Sequence, residues 1–310
     1  MNLLDAMRYL VALEQHRHFG RAASACHITQ PALSNALRSL EAELGVAIVR
    51  RGRAYEGLTP EGERVLSSAN RLLHEQELLR QDLHSGIDNP CGTLTIGAVP
   101  TTIPVAARFA ARLQTRHRGI VPVVRSLSSH EIESGLESLA LDLGLGYTDR
   151  SPKLVVIPQY VEHYFLLRRV AVGIGDPLRI GAEIGWRAAA AMPLCLLTPE
   201  MHNRTIVDAA FAQAGMQVAA SIETNSIVTV VMSALDGEVC TILPGALMAL
   251  ARGYKGLEAL PLREPEVLTP IGFMTAPGTR PSRALEAALT LAQDADWLRD
   301  ARGQGEFFAA

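Results

Sequence analysis

Between residues 29 and 38 the chain places Thr29, Gln30, Pro31, Ser34, Asn35 and Arg38 within ten positions. Hydroxyl, amide and guanidinium groups hydrogen-bond base edges and phosphate oxygens, so this set suits contact with double-stranded DNA. Arg50, Arg51 and Arg53 cluster around Gly52 and read either as a solvated turn or as a loop that meets phosphate or the minor groove. A second set of polar residues stands where strands give way to helices: Thr101 and Thr102, Ser128 and Ser129, then Thr198 ahead of Met201, His202 and Arg204, then Thr224 and Asn225. Helix N-termini carry unpaired N–H groups and a positive dipole end, so several of them converging on one cleft favour a small anionic effector. Each hydroxyl can equally be an ordinary helix cap. Arg204 reads as a partner for a carboxylate or as a surface residue, and Ser128 with Glu131 has the spacing of a capping box.

Other reactive residues are dispersed. Cys26, Cys91, Cys195 and Cys240 form no CxxC and no ligand cluster, which argues against a zinc site or disulfide scaffold and suits a reducing compartment. His16 and His18 read as a solvated helix end and His163 as structural. GxSxG, phosphate-loop and HExxH motifs are absent, so no enzyme, metal or cofactor is expected.

The elements that would position these groups follow from periodicity. Leu3, Met7, Leu10, Val11 and Leu13 mark a first helix, and residues 21–26 form a short second one built of small residues. Thr29 caps a third helix, Pro31 fits its first turn, Leu33, Leu37, Leu40 and Leu44 form its buried face, and Gly45 ends it. A short helix, a tight turn and a second helix with a polar face make a helix-turn-helix, and residues 46–58 read as a wing. Thr59 and Pro60 open a long helix in which Val65, Ala69, Leu72, Gln76, Leu79 and Leu83 recur at 4-3-4-3-4 spacing. That is a coiled-coil seam, and a partner subunit is the simplest cover for it. Two bound heads would call for a roughly palindromic operator. Residues 89–92 read as a hinge, after which strands and helices alternate, implying an α/β fold with largely parallel pairing. Strands are expected at 94–99, 121–127, 141–147, 194–197, 218–222, 239–243 and 267–275, with helices at 103–114, 130–139, 204–214, 226–235 and from about 281.

The segments Phe19–Ala23, Ile28–Ser34, Leu40–Val46, Arg51–Arg53 and Leu58–Gly62 stand in the order seen in the DNA-binding domain of LysR-type transcriptional regulators, which this chain resembles. Val49 departs from the Phe usual there and reads as a packing change under the wing. Leu94–Val99, Leu141–Gly146 and Ile242–Gly245 resemble, more loosely, the two-lobed effector domain of the same family, built like periplasmic binding proteins. The resemblance implies a winged helix-turn-helix at 1–58, a linker and dimerisation helix at 59–88, one effector lobe at 89–161 plus 267–310 and the other at 162–266. It further implies an antiparallel linker-helix dimer, a homotetramer on bent DNA and RNA polymerase as a partner. The stretches 223–227 and 197–200 are similar to the cyanate-operon branch, which implies an effector of the cyanate, formate or bicarbonate class. Some relatives sense oxidant through a close cysteine pair, so redox control is the alternative.

Composition agrees with a folded regulator. The chain has 310 residues, 48% of them hydrophobic and 20% charged, which supports two or three domains and excludes wholesale disorder. The net charge is −3, so any nucleic-acid surface must be local, and residues 1–57 carry seven arginines against five acids. The N-terminus lacks a basic leader region, and the charge-free run 239–251 falls short of a membrane span, so a cytoplasmic location is expected.

Overall fold

The computed structural model describes residues 2–50, 55–84, 90–150, 152–170, 178–236, 238–278 and 280–305. They divide into two compact units, residues 1–90 with 135–140, and residues 91–134 with 141–310.

The first unit begins with α1 (Leu3–His16), α2 (Phe19–Ala25) and α3 (Gln30–Leu44). Thr29 caps α3 through Ala32 N–H, and Gly45 closes it at φ 68°. Leu10, Leu13, Ala22, Leu33, Leu37 and Leu40 pack into one core with Ile48 and Leu58 of the wing. Each fully buried leucine contributes roughly 1.5–3 kcal/mol, so the apolar faces of three short helices suffice to fix their crossing. Val49 and Leu58 pair across the wing base, and the Glu41 carboxylate accepts both Ile48 N–H and Val49 N–H, tying α3 to the wing. Val49 is partly buried against the same core, as its smaller side chain allows.

The long helix α4 (Pro60–His84) follows, with Thr59 accepting from Gly62 N–H and donating to Ala47 O. A Cβ on Gly62 would stand 2.2 Å from the Ile48 carbonyl, so this position admits only glycine without moving helix from wing. The expected seam is split. Ala69 is fully buried, Val65 packs on the head core, and Gln76 accepts from Arg8 at 2.7 Å, whereas Leu72, Leu79 and Leu83 are exposed.

In the second unit come β1 (Gly92–Ala98), α5 (Ile103–Arg116), β2 (Ile120–Ser126), α6 (Ser129–Glu137), β3 (Leu143–Tyr147) and β4 (Val155–Glu162). The chain continues through β5 (Tyr164–Arg169), β6 (Arg179–Ile180), β7 (Ile184–Gly185), α7 (Trp186–Ala189), β8 (Leu194–Leu197), α8 (His202–Gln213) and β9 (Ile222–Thr224). It ends with α9 (Ile227–Asp236), β10 (Cys240–Pro244), α10 (Gly245–Ala251), β11 (Leu257–Arg263), β12 (Thr269–Thr275), α11 (Arg283–Ala292) and α12 (Ala295–Gly305).

One sheet has the order β2-β1-β3-β12-β4, the other β6-β11-β5-β10-β8-β9, with β7 on β11. β1 is parallel to β2 and β3, and β8 to β9 and β10. The antiparallel pairs all involve β5 or β12, the strands beside the two crossings between sheets. Pairing is therefore mixed. β9 begins four residues later than the spacing suggested, because its ladder is limited to the three residues that face β8. Phe109 stacks against Phe273 at 4.4 Å and Trp297 at 5.0 Å under the first sheet. The second sheet buries both faces: Phe165, Leu167, Cys195 and Leu243 on one side, Tyr164, Leu166, Leu194 and Ile242 on the other.

Candidate DNA-reading face and ligand cleft

On α3 the buried leucines leave Gln30, Pro31, Asn35 and Arg38 exposed and Ser34 half-buried, with Thr29 at the helix start. The Arg38 guanidinium donates to the Asn35 amide oxygen at 3.3 Å, so two groups suited to base edges stand side by side. Such a helix can lay its N-terminal half in a major groove. Arg51 and Arg53 lie outside the described residues. His18, read as a solvated helix end, is the N-cap of α2, its Nδ1 accepting from Gly20 and Arg21 N–H. An imidazole accepting there replaces the usual Ser or Asp, which is why the cap went unread.

The second unit holds a cleft at the carboxyl ends of strands from both sheets, where open α/β sheets bind ligands. Thr101, Ser128, Ser129, Met201 and His202 line it, as do Tyr147 and Asn203. Its volume is about 10 Å³, close to what one water occupies. The Ser128–Glu131 capping box is formed: Ser128 donates through both N–H and Oγ to the Glu131 carboxylate, and Glu131 N–H returns to Ser128 Oγ. The Ser129 hydroxyl is buried and finds no partner among the described residues. At α8 the N-cap position is Met201, which has no side chain to satisfy the first N–H groups.

His202 packs edge-on against Tyr147 at 4.7 Å, and Arg150 donates to its Nδ1 at 3.0 Å. Burial, then the Arg150 charge, hold its pKa below the ordinary value, so it stays neutral with the proton on Nε2. Beneath the cleft, Tyr147 bonds Thr101 at 3.2 Å and Asn203 donates to the Tyr164 hydroxyl at 3.4 Å. Burial pushes both phenols up, so they remain neutral donors.

Four expected cleft residues lie elsewhere. Thr102 is turned inward, donating to Val99 O and Leu145 O. Arg204 is 7% exposed and spends its donors on Asp208, Glu223 and Leu197 O, each at 2.8 Å. With two carboxylates already on it, its charge is not available to a ligand carboxylate. Thr224 accepts from Ser226 N–H at the end of β9, and Asn225 is exposed outside the cleft. Asn203, Tyr147 and Arg150 were missed. Only Asn203 carried a signal, as a neighbour of His202 at the helix start.

The thiols do not pair. Cys195 faces Thr241 and Cys240 faces Leu194 across the parallel β8–β10 ladder, so the two side chains leave opposite faces of the sheet. Cys195 lies in one core and Cys240 against the other, its Sγ 3.7 Å from Met192 Sδ. Burial raises both thiols and Cys26 above the ordinary pKa.

Known proteins place both halves in one context. A family model described as a bacterial regulatory helix-turn-helix protein of the lysR family matches residues 4–63, and one described as the LysR substrate binding domain matches residues 88–297. The DNA-binding transcriptional dual regulator OxyR of Escherichia coli K12 is 27% identical over 289 residues, covering 90% of each chain. The fold is similar to a full-length OxyR variant of Pseudomonas aeruginosa, at TM-score 0.71 and 23% identity over 98% of this chain and 100% of that one. It is also similar to CbnR in complex with its target DNA, at TM-score 0.63 and 17% identity over 96% and 99%.

Proposed function

The chain belongs to the LysR family of transcriptional regulators, and on that premise we propose that it reads a roughly palindromic operator under the control of a small anion held between its two lobes. DNA binding and transcriptional regulation come with the family. The finer reading rests on the cleft: about 10 Å³, walled by Thr101, Ser128, Ser129 and His202, at the start of a helix without a side-chain cap. The unpartnered Ser129 hydroxyl, the neutral His202 and the open N–H groups suit a small anion, whereas Ser128 already donates to Glu131. Even such an anion needs the walls to part slightly from a space that fits one water, and an aromatic acid would need the lobes to separate much further. Cyanate, formate and bicarbonate are the class.

Gln30, Ser34, Asn35 and Arg38 contact bases or phosphates, and Arg51 and Arg53 add phosphate contacts from the wing. The α4 stripe pairs two heads in a dimer, two dimers form a tetramer, and RNA polymerase is the further partner. The anion acts by binding one arrangement of the assembly more tightly than the other. Thermal shift against sodium formate, cyanate and bicarbonate tests the cleft. A saturable rise in melting temperature is expected. A rise with large aromatic acids alone overturns the small-anion reading and leaves the regulator intact.

Response to peroxide is the second reading, favoured by relatives named hydrogen peroxide-inducible genes activators. In this chain it would run through single thiols, since Cys195 and Cys240 diverge across the sheet. Operator binding and free-thiol titration before and after hydrogen peroxide separate the two. Unchanged values are expected, and a peroxide-dependent change in both promotes the redox reading.

A further inference from the structure

A larger cavity, about 270 Å³, opens where the chain passes between the two sheets. Its walls are Tyr164 and Phe165, just after the first crossing, and Leu262 and Val267, just before the second. Both crossing segments thus meet at one apolar hole. Phe165 is closed off at 0% exposure with its ring on the other face of β5, so the apolar surface open to the cavity is that of the half-buried Pro261 and Val267 with the edges of Tyr164 and Leu262. The rim is charged. Arg263 donates to Glu183 at 3.0 Å and also to Glu266, whose carboxylate lies 3.9 Å from His163 Nδ1. Two carboxylates share one guanidinium there, so the rim carries net negative charge and spare acceptor lone pairs.

Tyr164 also reaches away from this cavity. Its hydroxyl receives hydrogen bonds from Thr269 and from Asn203, and Asn203 lines the cleft between the lobes. Tyr164 therefore lines the larger cavity and holds a cleft residue with its hydroxyl.

We propose that this cavity is a second ligand site, which takes an organic amine with a small apolar body and transmits its occupancy to the cleft through Tyr164. The apolar body displaces water from Pro261, Val267 and the exposed edges of Tyr164 and Leu262, and the ammonium group donates to Glu183 and Glu266 at the rim. The cavity suits a single substituted ring rather than a drug-sized molecule.

The test uses the full chain with methyl-labelled Met, Leu and Val, titrated with benzylamine, benzyl alcohol and benzoate. Benzylamine should shift Leu262 and Val267 saturably, and Met201 of the cleft should move with the same binding curve. In the double variant Glu183→Gln/Glu266→Gln, benzylamine affinity should fall about tenfold while benzyl alcohol is unchanged. Tyr164→Phe keeps the ring, so Leu262 and Val267 should still respond while the Met201 shift disappears. Three results would each overturn the site: no saturable shift, equal affinity for all three probes, or preference for benzoate. A Met201 response that survives in Tyr164→Phe would overturn the transmission.

Discussion

Glu162 ends β4 at the first crossing between sheets, fully buried, with one carboxyl oxygen unpartnered among the described residues and the other accepting from Tyr160. Burial raises its pKa from 4.5 to about 8, and only the Tyr160 hydrogen bond opposes the shift. Between those two values the folded chain keeps a proton that the unfolded chain has released. Stability from this group is thus complete below pH 4.5 and is lost as pH rises through about 8. Glu162→Gln keeps the shape and removes the titration. Melting temperature should fall across that window in the natural protein and much less in the variant, which should be the more stable by about 5 kcal/mol at the alkaline end. Parallel curves would show that Glu162 ionises freely. Gly62 offers a second test. A Cβ there meets the Ile48 carbonyl at 2.2 Å, a side-chain carbon against backbone that cannot swing away. Gly62→Ala should cost roughly 1–3 kcal/mol, read by chemical denaturation. A neutral result would mean that helix and wing separate freely.

Elements were legible where their ends are governed by local chemistry. Thr29 with Pro31, Gly45, Thr59 with Pro60, and the Ser128–Glu131 box state a helix boundary within four residues, and the structure uses each of them. Elements without such signals were missed. α10 begins at Gly245 directly after β10 inside one apolar run, where periodicity cannot separate strand from helix. β11 and α12 also went unread. The site divides the same way. Polar residues at strand ends pointed to a cleft, but which of them face it depends on partners distant in sequence. Arg204 looked free until Glu223, nineteen residues on, was seen against it. On α3, the exposed face was legible because its leucines fix the opposite side. Arg38→Ala should weaken operator binding and lower the slope of log affinity against log salt by about one if Arg38 meets a phosphate. If it meets a base instead, the slope stays and discrimination at one position falls by about 1–3 kcal/mol. An unchanged affinity and specificity would remove it from the interface.

At the scale of the whole molecule the question is what covers α4. A seam at 4-3-4-3-4 spacing specifies that one face is buried and not against what. Here the head takes its first part: Val65 packs on the helix-turn-helix core, Ala69 is fully buried, and Gln76 is held by Arg8. The later part is left as a stripe of Leu72, Leu79 and Leu83, which are 45%, 59% and 74% exposed. Three leucines on one side of one helix are a costly surface to leave wet, at about 25 cal/mol per Å². A second copy of the same stripe would cover it symmetrically, as a twofold interface requires. The head does not depend on these leucines, so they can be altered without unfolding it. Leu79→Glu with Leu83→Glu sets like charges against each other in such an interface and should lower the assembly state in sedimentation while the circular dichroism of the head persists. Binding to a full palindromic site should then fall towards that of a half-site, because the two heads no longer arrive together. If the double variant keeps both its sedimentation coefficient and its preference for the full site, the subunits are joined elsewhere and the stripe has another partner.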